Sequence, residues 1–379
     1  MSLHTPSTTT RGRAVDLSVV LLAATALLMA PAPAQASAVD EARADAEWIL
    51  RAQLPDGAIA SQLDQRMIWP YLSNFAAIGL ARAGQITADP RYSDAAWRWL
   101  SWYRSHQDAS GFVSDYQVDA GVASSTGDMD STDAYAGTFL IAVNAAWQAT
   151  GDLPRLRELE PGVVAAVAAI EATQTSDGLT WAKPTARVKY LMDQAEAYAG
   201  LRAAATLART LSNAGLESRA ATSARRVRAG VQRLWNPRRG AYAWAKHGDG
   251  ARQQTNWNVL YPDAIQQTWA VAFGLVRGAR AEALMRRFAR EQPRWDRAGS
   301  IARFRRPGGW ALRAVGYWAP AAWAFARVGD DRRSRRASGR LRAAALRAGR
   351  VWPFTPADAG QLVMLGDRPG ETLTRLLGP

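Results

Sequence analysis

The chain has 379 residues and no cysteine, which excludes disulfides, thiol catalysis and cysteine-ligated metals. Its formal net charge is +14, and nearly all of the excess is arginine because lysine occurs only at Lys183, Lys189 and Lys246. One interpretation is affinity for an acidic polymer, and the other is a genome that uses arginine freely. The arginines lie mainly on helix-like segments without interleaved aromatic residues, which favours solvated helix faces and predicts no nucleic-acid partner.

Residues 1–38 have the three parts of a secretory signal peptide. Arg11 and Arg13 precede an apolar run over residues 17–29, and the following segment contains A-x-A sites ending at Ala36 and Ala38. The alternative is a membrane anchor, but the run is shorter than the roughly 20 residues that a span needs. We predict an exported protein cleaved near Ala36 or Ala38, with 39–379 as a single domain that has no membrane span.

A repeated turn divides the remaining chain into six units. Each turn follows a helix-like segment, and its glycine stands at position 57, 111, 178, 240 or 299, with a weaker copy near Asp358. Between the turns apolar residues recur at helical spacing, and no alternating run is long enough to indicate a sheet. A helical hairpin cannot bury its apolar face alone, so six hairpins predict an all-α (α/α)6 toroid. An open helical solenoid is the alternative.

The second helix of each unit is rich in small residues. Residues 133–137 read DAYAG and residues 196–200 read EAYAG, and looser copies begin at Asn74 and Thr268. Small side chains let helices approach closely, as an inner ring requires. We therefore predict that these second helices are the inner ones and that their N-terminal ends share one mouth with the glycine turns.

Carboxylates gather where the inner helices are predicted to begin. Asp130 and Asp133 stand three residues apart, as do Asp193 and Glu196, so each pair is predicted to share a helix face. Helix capping explains such residues in a first turn, and Asp130 fits that explanation. It does not explain Asp133 or Glu196, which are predicted to lie further inside. Converging carboxylates suit glycoside hydrolysis, in which one carboxyl protonates the leaving oxygen and a second activates water or attacks the sugar. We hypothesise catalysis by Asp133 with a partner among Asp130, Asp193 and Glu196.

Aromatic residues support a carbohydrate cleft. The chain has 16 tryptophans, several of them in the mouth segments, Trp244, Trp310 and Trp352 included, and indole stacks on the apolar faces of sugars. Packing between helices is the alternative role. The substrate-binding candidates are the polar and aromatic residues of the mouth, namely Asp56, Trp69, Tyr71, Asn74, Asp128, Trp181, Tyr190, Trp257, Tyr261, Asp263, Gln267 and Tyr317.

A family resemblance joins these features. Residues 127–139 (GDMDSTDAYAGTF) and 190–196 (YLMDQAE) resemble inner-helix acidic motifs of the six-hairpin glycosidases. With the repeat, the resemblance spans nearly all of the chain after residue 38. It implies an (α/α)6 fold, a secreted glycoside hydrolase, a poly- or oligosaccharide substrate, and neither a metal nor a cofactor. We further expect a monomer.

Three other functions fit parts of this pattern. Polysaccharide lyases use α/α toroids with Tyr and His, and Tyr190, Tyr261 and Tyr317 would suit them, although His106 and His247 are the only histidines after residue 38. Residues 128–133 (DMDSTD) are also similar to the acid motif of terpene cyclases, but a serine replaces its final acid. The third alternative is a non-catalytic toroid that binds glycan.

Overall fold

Helical hairpins follow one another along the chain. The computed structural model describes residues 37–296, 302–305, 311–314, 316–366 and 368–378, with backbone alone at 302–305 and 311–314. The predicted signal peptide, apart from its last two residues, lies outside this range, as do Gly299 and Trp310. The helices in order are α1 (Ala38–Ala52), α2 (Pro70–Thr87), α3 (Pro90–Ser105), α4 (Thr132–Thr150), α5 (Leu153–Thr173), α6 (Leu191–Thr210), α7 (Ala214–Gln232), α8 (Ile265–Ala272), α9 (Gly278–Glu291), α10 (Ala319–Arg327), α11 (Asp331–Arg347), α12 (Pro356–Val363) and α13 (Pro369–Leu377). A short π-helical segment, Leu260–Ala264, precedes α8.

The even-numbered helices form a closed inner ring. In the described part of the chain α2 packs on α4, α4 on α6, α6 on α8, α8 on α10, α10 on α12, and α12 on α2. Each odd-numbered helix from α1 to α11 packs outside its hairpin partner, and α13 packs on α4, α6 and α10. This arrangement confirms the predicted (α/α)6 toroid. Because α12 contacts α2, the ring is closed and the open solenoid is wrong.

Glycines bring the inner helices together. A Cβ on Gly137 of α4 would lie 2.7 Å from the backbone oxygen of Glu196 on α6, and a Cβ on Gly200 would meet the backbone of Gly137. Gly79 of α2 and Gly360 of α12 make the same kind of backbone contact where the ring closes. The small residues of the sequence repeat therefore mark the inner helices, as predicted.

Short strands lie in the loops that run from an outer helix to the next inner helix. The three-stranded sheet β1–β2–β3 joins β1 (Met67–Ile68) to β2 (Tyr116–Asp119) and β3 (Val122–Ser125). In a second sheet β7 (Ala245–His247) lies between β4 (Val188–Tyr190) and β8 (Arg252–Gln253). Two further pairs are hairpins: β5 (Trp235–Asn236) pairs with β6 (Ala241–Tyr242), and β9 (Ala302–Arg305) pairs with β10 (Ala311–Ala314). All pairings are antiparallel. The first two sheets connect neighbouring hairpins, so they fix the mouth loops relative to one another.

The two ends of the ring are built differently. Outer helices α3, α5, α7 and α11 begin with a side-chain cap from Asp or Asn, whereas the N-cap residues of α2, α4 and α6 make no side-chain cap bond. At the other end α13 is held by Asn144, whose amide donates to the Leu376 carbonyl at 3.0 Å, and by Arg327, which donates to the Gly378 carbonyl at 2.9 Å. The N-termini of the inner helices surround the mouth, and those of α2, α4 and α6 have no side-chain cap, whereas Thr355 caps α12. Among the described residues no helix combines the length and apolar character that crossing a bilayer requires.

Candidate active site

A cavity of about 530 Å³ opens where the inner helices begin. Its described lining combines aromatic rings with three aspartates, and no arginine, lysine or histidine is among the described residues that line it. The lining residues are Tyr71, Leu72, Asp130, Ser131, Ala134, Tyr190, Met192, Asp193, Trp244, Tyr261, Pro262, Gln266, Trp269, Gly316, Tyr317, Trp318, Trp352, Pro353, Thr355, Ala357, Asp358 and Gln361. Six of the predicted site residues are in this set: Tyr71, Asp130, Tyr190, Asp193, Tyr261 and Tyr317.

Asp193 is the most buried carboxyl group of the cavity wall. It lies in the first turn of α6 with 7% of its surface exposed. Its Oδ2 is buried and has no hydrogen-bond partner among the described residues. Burial raises the pKa of Asp193 well above the usual value, and the nearby carboxylates Asp133, Glu196 and Asp130 raise it further. Both effects favour the protonated form of Asp193.

Glu196 lies one turn further along α6, behind the wall. Its Oε1 accepts hydrogen bonds from the Tyr71 hydroxyl at 2.7 Å and from Trp269 Nε1 at 3.0 Å. Burial raises the pKa of Glu196 to about 8, although those two hydrogen bonds favour its ionised form. Because Tyr71 and Trp269 themselves line the cavity, Glu196 positions two wall residues without reaching the cavity surface.

Asp133 also lies behind the wall. It is fully buried in the first turn of α4, so the prediction that it lies further inside its helix is wrong. Its Oδ2 accepts a 2.5 Å hydrogen bond from the Thr180 hydroxyl. Thr180 is in turn bonded to Gln194 of α6, so Asp133 connects α4 to a mouth loop and to the neighbouring inner helix. Burial raises the pKa of Asp133 to about 7. It lies close enough to Asp193 to raise the pKa of that carboxyl group but does not line the cavity.

Asp130 is exposed at the rim. Because α4 begins at Thr132 with Ser131 as its N-cap, Asp130 precedes the helix, so the prediction that it shares a helix face with Asp133 is wrong. Asp128 is also on the rim, where it forms a 2.7 Å ion pair with Lys183. Lys183 also donates to the Met129 carbonyl at 2.7 Å, so this contact ties two mouth loops together.

Asp358 occupies the opposite wall. It lies in the first turn of α12, which is three positions from α6 in either direction around the ring. Its Oδ2 accepts hydrogen bonds from the Thr355 amide at 2.8 Å and the Thr355 hydroxyl at 2.7 Å. Burial raises the pKa of Asp358 to about 6, while the bonds from Thr355 and the Tyr317 backbone favour the carboxylate. Asp193 and Asp358 therefore face the same cavity from opposite helices.

Aromatic pairs line the cavity between Asp193 and Asp358. The rings of Tyr190 and Trp244 stack with centroids 6.2 Å apart, and those of Tyr261 and Trp318 stack at 5.1 Å. At the rim Trp352 is 54% exposed and meets Trp69 edge to face at 6.1 Å. Flat apolar surfaces beside carboxyl groups suit a sugar, which presents C–H faces and hydroxyl groups to the same site.

The other predicted substrate-binding residues have structural contacts. Asn74 and Gln267 are fully buried and hydrogen-bonded inside the ring, Asp56 accepts from Trp102 Nε1 at 3.1 Å, and Asp263 accepts from the Asn256 amide at 2.7 Å. Trp181 lies under the Lys189 ammonium, at 4.2 Å from the ring centroid. None of these, nor Trp69, Asp128 or Trp257, is among the described residues that line the cavity.

Sequence reasoning missed Asp358 and did not select Trp244, Gln266, Trp318 or Trp352 as binding residues. The segment TPAD at 355–358 is typical of a helix cap, and Thr355 and Asp358 do form a reciprocal capping box. Its position at a sixth, weak copy of the repeated turn was the available signal for a mouth residue. Only the closure of the ring brings it opposite Asp193.

Comparisons with known proteins match solved structures. No protein-family model and no curated protein sequence matches the chain. A substituted glycosidase in complex with glucose is 19% identical with a TM-score of 0.60, and the match covers 88% of this chain and 97% of the glycosidase. The GH63 mannosylglycerate hydrolase from Thermus thermophilus in complex with glucose is 15% identical, with 87% and 99% coverage and a TM-score of 0.57. A GH78 family rhamnosidase of Bacillus sp. GL1 is 12% identical, with a TM-score of 0.57, and the match covers 87% of this chain and 35% of the rhamnosidase. The likeness concerns the fold: the chain has the (α/α)6 toroid fold of the six-hairpin glycosidases.

Proposed function

We propose that this protein is a glycoside hydrolase that cleaves an oligo- or polysaccharide in the central cavity, with Asp193 as general acid and Asp358 as general base. The observation that carries the proposal is the pairing of two carboxyl groups with different surroundings on opposite inner helices. The similarity of the fold to glycosidases supports the same chemistry.

The two roles follow from protonation state. Burial and the neighbouring acidic groups Asp133, Glu196 and Asp130 raise the pKa of Asp193 well above its usual value, which favours the protonated form that can give its proton to the glycosidic oxygen. Asp358 has a pKa of about 6 and is mostly ionised at pH 7, so it can take a proton from water. As the water oxygen bonds to the anomeric carbon, the carbon–oxygen bond to the leaving group breaks, and the leaving oxygen keeps the Asp193 proton.

Their placement on opposite walls favours inversion of configuration. A water molecule has to fit between the base and the sugar in that mechanism, whereas a retaining enzyme brings its second carboxylate to the anomeric carbon itself. The cavity between the two helices gives that room. Asp133 is less suited to direct catalysis because Thr180 binds its Oδ2 and it lies behind the wall.

The test is hydrolysis of neutral and acidic glycans by the protein and by Asp193→Asn and Asp358→Asn variants. Each variant is expected to lose about 10²- to 10⁴-fold in kcat/KM, the usual contribution of a general acid or base. Asp94→Asn is the matched control, because Asp94 lies half exposed on outer helix α3 and forms an ion pair with Arg155. Equal activity of the wild type and both cavity variants would refute the assignment. Glycan binding without turnover would support the non-catalytic toroid, and an unsaturated uronide product would support a lyase.

We also propose that the protein is exported and cleaved near Ala36 or Ala38. The start of α1 at Ala38 supports this position, because cleavage after Ala36 leaves the first outer helix intact and cleavage after Ala38 removes only its first residue. N-terminal sequencing of the protein recovered from the culture medium would test it. A mature chain that still begins at Met1, or protein found only inside the cell, would contradict it.

A further inference from the structure

A second depression lies outside the central cavity. It has a volume of about 340 Å³ and is formed by Arg238, Arg239, Thr255, Asn256, Trp257, Asn258, Arg287 and Glu291. These residues come from the loop between β5 and β6, the loop after β8, and the last turns of α9. No described residue lines both this depression and the central cavity. Three guanidinium groups and one carboxylate give the depression a formal charge of +2.

Arg287 is held in place at this site. Its guanidinium lies over the Trp257 ring, 4.9 Å from the centroid, and donates to the Arg239 carbonyl. Trp257 is itself fixed, because its Nε1 donates to the same carbonyl at 3.3 Å and its own carbonyl accepts from Gln292 at 2.5 Å. The Nε of Arg287 is buried without a hydrogen-bond partner among the described residues, and the nearest carboxylate oxygen, on Glu291, is 3.9 Å away. The Arg287 side chain is nevertheless one-third exposed, so its guanidinium can donate to a ligand that accepts hydrogen bonds.

The other exposed groups are also donors. Arg238 is exposed, and its guanidinium has no partner among the described residues. Asn256 Oδ1 accepts from the Asn258 amide at 3.1 Å, which leaves the Asn256 side-chain N–H₂ group for a ligand, and the Asn258 side chain is exposed as well. Arginine and amide donors in a fixed arrangement match the oxygens of a carboxylate and the hydroxyl groups of a sugar.

We propose that this depression binds an acidic saccharide unit, a uronate, with Arg238 and Arg287 on the carboxylate. A bare oxyanion would leave much of the volume empty, because one water molecule takes only about 30 Å³. Trp257, which sequence analysis selected as a sugar-binding residue, is buried beneath Arg287 and supports that guanidinium at the edge of the depression. The depression also assigns a binding role to some of the arginines that give the chain its excess positive charge.

The experiment is calorimetric titration of the protein with sodium D-glucuronate, D-glucose and inorganic phosphate. Glucuronate has no glycosidic bond, so the outcome does not depend on whether the protein is a hydrolase. Glucuronate is expected to bind, and Arg287→Gln and Arg238→Gln are each expected to weaken binding about tenfold, the effect of one charge-assisted hydrogen bond. Arg238→Gln removes no contact among the described residues, so it keeps the test valid if Arg287→Gln unfolds. The control Arg286→Gln, one residue along α9, changes an exposed pair with Glu282 and is expected to leave affinity within about twofold.

Glucose is the neutral control for glucuronate because it lacks the carboxylate. If glucose binds in the central cavity, its affinity should not change in the Arg238→Gln variant. Three results would overturn the proposal: no glucuronate binding, glucuronate binding that neither arginine variant weakens, or arginine-dependent binding of phosphate without glucuronate.

Discussion

Asp193 and Asp358 are both aspartates in the first turn of an inner helix, yet their surroundings favour opposite protonation states. Other carboxyl groups crowd Asp193, and its buried Oδ2 has no donor among the described residues. Asp358 instead accepts two hydrogen bonds from Thr355. A helix N-terminus attracts negative charge in both cases, so the neighbouring side chains make the difference.

The pKa of Asp358 sets the acid limb of the expected pH profile. A general base must be ionised, and burial places the pKa of Asp358 at about 6, so kcat/KM is expected to fall as the pH drops through about 6. At high pH activity is lost when Asp193 ionises. A steady-state profile measured from about pH 4 upward tests this. Full activity at about pH 4 would show that Asp358 is not the base.

Glu196 is expected to reduce stability as the pH rises. The unfolded glutamate loses its proton near its ordinary pKa of 4.5, but the folded one keeps it up to about 8, so between these values the folded state binds more protons and stability falls. Glu196→Gln removes this effect while keeping an oxygen for Tyr71 and Trp269. We expect the variant to raise Tm at pH 7 by roughly 1–2 °C for each kcal/mol of destabilisation that it removes, because the unfolding entropy grows with chain length. The gain should disappear near pH 4 in a thermal unfolding series, and a pH-independent difference would contradict the account.

The sequence repeat predicted that the carboxylates of α4 and α6 hold equivalent positions, but it did not predict which of them face the cavity. Asp133 and Glu196 hold equivalent places in the DAYAG and EAYAG segments, and both are buried behind the cavity wall. Asp130 and Asp193 stand three residues earlier, and both line the cavity. Which member of a pair faces inward depends on where the helix begins and how it packs, and the spacing of the carboxylates does not contain that information.

At the scale of elements, the contact between α4 and α6 depends on Gly137. A methyl group there would approach the Glu196 carbonyl oxygen to 2.7 Å, so the two helices would have to separate and carry Asp193 with them. Gly137→Ala is expected to cost about 1–3 kcal/mol of unfolding free energy, as overpacking usually does, and to lower kcat/KM. Urea unfolding and a hydrolysis assay measure the two effects.

Gly339→Ala is the matched control for that change. Gly339 lies in α11 and is exposed, and a methyl group added to it would meet no atom of the described residues within 4 Å. Alanine there is expected to stabilise the protein by up to about 1 kcal/mol through helix propensity alone. If both glycine variants behaved alike, close helix packing at Gly137 would not be the cause.

Helices were predictable from sequence because their apolar periodicity and small-residue segments extend over many residues. The mouth strands were not, because each has only two to four residues and some pair with a partner in another loop, as Met67 does with Gln117. A strand that short has no recognisable alternation of its own. The strands nevertheless matter for the site, since β4 leads directly into α6 and Asp193.

At the scale of the whole molecule, a buried ion-pair network holds the first hairpin to the last. Asp45 of α1 is 1% exposed, its Oδ1 accepts from Arg350 Nη2 at 2.7 Å, and its Oδ2 lies 3.1 Å from Arg342 Nη2. Arg342 also donates to Glu41 at 2.6 Å and to the Leu362 carbonyl of α12 at 2.7 Å. Burial raises the pKa of Asp45, while both arginines oppose that shift. The network therefore joins both ends of the ring at the point of closure.

Asp45→Ala is expected to destabilise the protein by about 3–5 kcal/mol, because it leaves two poorly solvated guanidinium groups without their shared carboxylate. Asp40→Ala on the same helix breaks an exposed pair with Arg43 and should cost less than about 1 kcal/mol. Chemical unfolding monitored by tryptophan fluorescence compares the two. Similar small losses for both would show that the network does not hold the ring closed.

Comparing two leaving groups on the same sugar, once the glycan screen has identified it, tests whether Asp193 is the general acid. An alkyl glycoside needs a proton on its leaving oxygen, whereas a glycosyl fluoride does not. If Asp193 is the general acid, Asp193→Asn lowers kcat/KM on the alkyl glycoside by about 10²- to 10⁴-fold and leaves the fluoride within roughly tenfold of wild type. Equal losses on both substrates, or no loss on the alkyl glycoside, would contradict the assignment of Asp193 as the acid.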